Sequence, residues 1–149
     1  PARPLLERLY RDAVRDARPD VAVRAALVRT ILPHGRLEAG AGHAMVHVLA
    51  MGKAAHVMAA AALAHCAESA VPVVGGLCVA PTLPDDALRA ALAPLACMTG
   101  EHPVPGAASR AAADAIGDWL ATRVRAGDHV LVLVSGGTSS LVAAPLPGL

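Results

Sequence analysis

The stretch Met45-Val-His-Val-Leu-Ala-Met51, followed by Gly52-Lys53 and then Ala54-Ala55-His56-Val57-Met58, decides the reading of this chain. A short apolar run, a glycine and an alanine-rich segment read as strand, tight turn and helix start, the strand running roughly from Met45 to Leu49. Lys53 stands at the mouth of that turn. It is the only lysine, arginine supplying the rest of the 13 basic residues. An ammonium is a compact point charge with rotatable donors, which arginine's planar fork does not reproduce. Beside helix N-terminal amides, such a charge suits phosphoryl chemistry. The plainer alternative is a surface lysine surviving in an arginine-rich chain.

Outward from this unit the same alternation repeats. Pro72 to Val79 is a second apolar run, with Gly75 and Gly76 weakening the strand signal while allowing close backbone approach. Ala96 to Thr99 is a brief third strand, and His129 to Val134 is the cleanest of all. Between them lie a helix ending near Glu68, a short helix starting at Pro84-Asp85-Asp86, and a long one from Ala107 to Arg125. The long helix carries Ala112, Ile116, Trp119, Leu120 and Val124 on one stripe. Two helices precede the first strand. Leu5, Leu6, Leu9, Ala13, Val14 and Ala17 recur at helical spacing, and Pro19 ends that element. Asp20 is placed to cap the next, where Val23, Leu27 and Ile31 share a face before Pro33 stops it and Gly35 to Gly42 forms a loop. Apolar strands alternating with helices predict one α/β domain over 1–149, a three-layer α/β/α, Rossmann-like arrangement with a mainly parallel sheet. The chain opens without methionine, and Ala143-Ala-Pro-Leu-Pro-Gly-Leu149 closes no element, so a processed or truncated piece of something longer is expected.

Composition removes several classes of function. A length of 149 residues suits one domain with a real core. Aromatic content is 1%, too little for base-stacking platforms, and a net charge of +1 gives no field for a polyanion, so no nucleic-acid partner is expected. No apolar run reaches the roughly 18 residues of a membrane span, and no signal peptide opens the chain. Cys66, Cys78 and Cys97 are an odd number without CxxC spacing, which reads as free thiols and a cytoplasmic location. The 7 histidines are scattered, and none forms an HxxxH pattern with a carboxylate partner on a helix, so no protein-built metal site is expected. His43, His47, His56, His65 and His129 read as ordinary strand or helix histidines.

Three loops carry the chemistry, and all fall after strands, at the sheet edge where α/β folds bind ligands. The first is Gly52-Lys53. The second is Gly100-Glu-His-Pro-Val-Pro-Gly106, where Pro103 and Pro105 stiffen the chain around His102, a donor or acid–base group that alternatively bonds nearby backbone. Ser109 after it is placed to cap the long helix. The third is Ser135-Gly136-Gly137-Thr138-Ser139-Ser140, whose glycines let successive amides face one anion while the hydroxyls add donors. A flexible polar turn is the bland alternative. The segment is no Walker loop, no GxSxG occurs, and Gly40-Ala-Gly42 precedes a strand where a dinucleotide fingerprint would follow one.

Taken in series, Gly52-Lys53-Ala54-Ala55 with Met58-Ala59, Gly100 to Gly106 with Ser109, and Leu133-Val134-Ser135-Gly136-Gly137-Thr138-Ser139-Ser140-Leu141 resemble the type II glycerate kinases. The resemblance covers nearly this whole chain but only the N-terminal part of such kinases, whose active site lies in a cleft toward a smaller C-terminal domain absent here. It implies ATP-dependent phosphorylation of glycerate, to 2-phosphoglycerate, with ATP and a magnesium ion carried by the nucleotide. Small-molecule partners are implied, and a homodimer is a candidate assembly. Lys53 would be the catalytic charge. Gly52, His102, Ser135, Gly136, Gly137, Thr138 and Ser139 would bind substrate or phosphate, with no general base obvious in these loops. A sugar-phosphate isomerase-like domain, with Glu101 and His102 as base, is the enzyme alternative. A non-catalytic anion-binding domain is the other. Hydroxypyruvate reduction is disfavoured because no nicotinamide-binding glycine pattern is present.

Overall fold

The computed structural model describes residues 2–30 and 45–146. In chain order the elements are α1 (Ala2–Asp16), α2 (Pro19–Thr30), β1 (Val46–Met51), α3 (Ala55–Glu68), β2 (Val73–Ala80), α4 (Asp86–Ala91), β3 (Leu95–Thr99), α5 (Ala107–Arg123), β4 (His129–Val134) and α6 (Thr138–Leu141). The four strands form one parallel sheet in the order β3-β2-β1-β4. The α/β layering and parallel sheet read from the sequence are therefore the ones the chain adopts.

Each strand presents alternate residues to two apolar layers. Val48, Ala50, Cys78, Ala80 and Leu133 pack against α2 and α3, with Val23, Leu27, Ala55, Ala59 and Ala62 opposite them. The small alanines of α3 let the helix lie close to the sheet. Leu49, Leu77 and Val79 on the other face meet Ala112 and Ile116 of α5 and Leu141 of α6. Cys66 and Cys78 are buried, Cys97 partly so, and all three are free; burial foremost pushes the Cys78 thiol up to about 12.

Element boundaries moved in ways that matter. β1 runs on to Met51, past the expected end at Leu49, because Ala50 and Met51 are paired on both sides, with Cys78 and Val79 of β2 and with Leu133 and Val134 of β4. Pro19 is the first residue of α2, where its missing amide hydrogen costs nothing, and so it does not serve to end α1. Asp20 lies inside that first turn and pairs with Arg18 at 2.7 Å. Asp85 caps α4, accepting from the Leu88 amide at 2.8 Å. The stripe on α1 forms, but Leu5, Leu6, Leu9 and Val14 remain exposed. Ile31, Pro33, the Gly35 to Gly42 loop and His43 lie outside the described residues.

The strand order sets where a ligand can enter. The chain moves from β1 outward through β2 to β3, then returns to place β4 on the far side of β1. Between the carboxyl ends of β1 and β4 the connections diverge to opposite directions, the topological switch point at which open α/β sheets form a crevice.

Candidate functional site

The turn after β1 and the loop after β4 are laced together at that switch point. The Met51 carbonyl is the hub: it accepts from the Ser135 amide at 3.0 Å, from the Thr138 hydroxyl at 3.0 Å and from the Ser135 hydroxyl at 3.3 Å. The Ser135 hydroxyl in turn accepts from the Ala54 amide at 3.1 Å. The Lys53 amide donates to the Gly136 carbonyl at 2.9 Å, and the Gly52 amide to Val79 at 3.1 Å. Gly52 is buried at φ +120°, and a Cβ there would run into the hydroxyl and carbonyl of Ser135. Only glycine meets both demands at this position.

Gly137 adopts φ +93° and turns the chain into the one-turn helix α6. The surroundings of this glycine define the candidate site. A Cβ built on it would lie 3.2 Å from Lys53 Cγ, 3.0 Å from His102 Cδ2 and 3.4 Å from His102 Nε2. Lys53 Cε passes 3.9 Å from the corresponding point on Gly136. An amine and a glycine bend more than eighty positions apart therefore meet on one surface, and His102 from the loop after β3 meets them there. Lys53 and His102 are exposed, and Lys53 joins no ion pair among the described residues. The amides of Gly136, Gly137 and Ser139 have no hydrogen-bond partner among the described residues, nor does the exposed Ser139 hydroxyl. Free amides beside an ammonium are donors of the kind that suits anionic oxygens.

The expected donors thus divide into two groups. Gly136, Gly137, Ser139, Lys53 and His102 face outward together. The hydroxyls of Ser135 and Thr138 turn inward, Thr138 also lying 2.7 Å from the Ser135 carbonyl, and they brace the bend instead of lining it. Gly52 is backbone support.

The second loop is anchored by two contacts that the sequence reading did not anticipate. Gly106 is the N-cap of α5, so Ser109 falls three residues into the helix and cannot cap it. The capping group is Glu101. Its carboxylate accepts from the amides of Ala108 at 3.1 Å and Ser109 at 2.7 Å and from the Ser109 hydroxyl at 2.8 Å. The fully buried Ser109 hydroxyl also lies 2.9 Å from the Glu101 amide. The Ala108 amide first, then the Ser109 hydroxyl and amide, hold the Glu101 carboxyl down at about 2. A carboxylate so tied makes a poor proton acceptor, which removes it as the base that an isomerase would use. The second contact is Ser140, whose hydroxyl donates to the Pro103 carbonyl at 2.9 Å and ties the His102 loop to α6. Gly100 permits the approach, because any Cβ on it would collide with the Leu141 carbonyl.

The fold is that of a Rossmann-like α/β domain with a parallel four-stranded sheet, its candidate site lying at the switch point. More particularly, the chain belongs to the DUF4147 family, described as a domain of unknown function, whose model matches residues 5–149. Among solved structures it is similar to a glycerate kinase from Thermotoga maritima, with TM-score 0.69 and 26% identity over 93% of this chain and 29% of that one. It is also similar to the PH0495 protein from Pyrococcus horikoshii OT3, with TM-score 0.64 and 25% identity over 99% of this chain and 32% of that one. The chain therefore spans about a third of the length of these two relatives. No curated protein matches it.

Proposed function

We propose that this chain supplies part of the substrate and phosphate site of an ATP-dependent glycerate 2-kinase, acting in the cytoplasm as part of a longer protein. One observation carries the reading: Lys53, His102 and the unpaired amides of Gly136, Gly137 and Ser139 gather at the switch point of the sheet. The similarity to a Thermotoga maritima glycerate kinase supports it.

ATP would supply the phosphoryl group to be transferred. Phosphoryl transfer asks for positioning and charge stabilisation more than for covalent chemistry. The Lys53 ammonium meets negative charge on the oxygens of glycerate or of the moving phosphoryl group. The amides of Gly136, Gly137 and Ser139 hold the same oxygens in a fixed direction, since the lacing through Met51 and Ser135 prevents the bend from yielding. The exposed imidazole of His102, beside the same glycine, donates to the substrate. Magnesium would arrive on the nucleotide. The residue that takes the proton from the glycerate hydroxyl is assigned to none of these three loops.

The test uses the full-length protein with ATP, magnesium and D-glycerate, following ADP release and identifying the phosphoglycerate formed. Lys53→Ala is expected to lower turnover by about two to four powers of ten, the range for losing a preorganised charge. Unchanged turnover in that variant defeats the assigned role. Absence of any ADP release with D-glycerate in the unmodified protein defeats the reading as a whole.

A further inference from the structure

The segment between Glu101 and Gly106 carries His102 and has little to hold itself in place. Pro103 and Pro105 bear no amide hydrogen, so neither can donate from the main chain. The amides of His102 and Val104 have no partner among the described residues. Glu101 fastens the start of the segment to α5, but its bonds to Ala108 and Ser109 leave the residues after it untied. Among the described residues, one hydrogen bond reaches positions 102–105 from elsewhere in the fold. The Ser140 hydroxyl donates it to the Pro103 carbonyl, at 2.9 Å.

Ser140 is joined to the glycine bend as well. It is half-buried, and its amide donates to the Gly137 carbonyl at 3.0 Å. Ser139, one residue earlier, carries an open amide and hydroxyl of the candidate site. A ring of contacts therefore closes. It runs from the Gly137 carbonyl to the Ser140 amide, from the Ser140 hydroxyl to Pro103, and back one residue to His102. The imidazole completes it: Cδ2 stands 3.0 Å, and Nε2 3.4 Å, from where a Cβ on Gly137 would lie. An exposed histidine on an untied loop pays for ordering when a ligand arrives. The hydroxyl of Ser140 removes much of that cost beforehand, without adding charge.

We propose that Ser140 is a positioning residue, which sets His102 against the bend so that the imidazole and the amides of Gly136, Gly137 and Ser139 meet one anion together. Ser140 itself touches no ligand, because its hydroxyl is committed to Pro103. The inference rests on the reading of these loops as an anion site, and not on glycerate being the substrate.

The experiment uses full-length protein with labelled histidine and glycine, the His102 resonances being those lost in His102→Ala. In the free protein a nuclear Overhauser contact is expected between the ring hydrogen on His102 Cδ2 and an α-hydrogen of Gly137. It should vanish in Ser140→Ala and persist in Ser140→Thr, which keeps the hydroxyl. Titrated with inorganic pyrophosphate, Ser140→Ala should bind about three- to tenfold more weakly, the worth of one hydrogen bond. With His102 already replaced by alanine, the same change should move the affinity less than about twofold, since the two residues act as one unit. Survival of the ring contact in Ser140→Ala, or equal weakening with and without His102, overturns the proposal. Failure of the unmodified protein to bind pyrophosphate defeats the anion reading instead, and the ring contact then decides for or against Ser140.

Discussion

At the scale of single residues, the site depends on atoms that never touch a ligand. Gly52 shows this best. Its φ of +120° and the closeness of Ser135 leave no room for a side chain. Gly52→Ala therefore combines left-handed backbone strain with overpacking, an expected loss of roughly 2–4 kcal/mol. Urea unfolding measures it, and a loss below half a kcal/mol would mean that the bend can yield. Glu101 makes a second prediction, through pH. Its carboxyl is held at about 2, against an ordinary 4.5. A depressed value stabilises the folded state fully above the ordinary value and loses that contribution as pH falls through the folded one. Stability should thus fall between about pH 4.5 and 2, and Glu101→Gln should flatten part of that fall. Equal acid-unfolding profiles for the two proteins would contradict the bonds drawn to Ala108 and Ser109.

At the scale of elements, the sequence was clear wherever periodicity decided. The runs at Met45 and His129 became β1 and β4, and the alanine-rich segment became α3 as read, because apolar strands and small-residue helices have few other ways to pack. Ends were harder, since they depend on partners remote in sequence. β1 gains Ala50 and Met51 only because two neighbouring strands reach that far, and the hub carbonyl of the site comes with them. Ser109 was misread for a related reason: a serine after glycine resembles a cap, yet the helix had already begun at Ala107. The carboxylate that satisfies its first amides comes from five residues before the cap, across a loop whose path a linear pattern does not give. At Asp85 the cap is local, and the short helix begins where the sequence placed it. Asp85→Ala should cost about 1 kcal/mol, again by urea unfolding, and no loss would show that the bond to Leu88 contributes nothing.

At the scale of the whole molecule, the strand order decides where the candidate site forms. The carboxyl ends gather the three loops that stood out in the sequence, and their common location was legible from strand–loop order alone. What order does not give is the division of labour within the third loop, where Ser135 and Thr138 brace and the glycine amides remain open. The most direct measurement of the central claim is a titration of inorganic pyrophosphate into isotope-labelled protein, watched by amide resonances. The account predicts that Gly136, Gly137, Ser139 and Lys53 shift together with one dissociation constant, and that Lys53→Ala weakens it at least tenfold. Shifts confined to other loops, or an unaltered constant in Lys53→Ala, would contradict it.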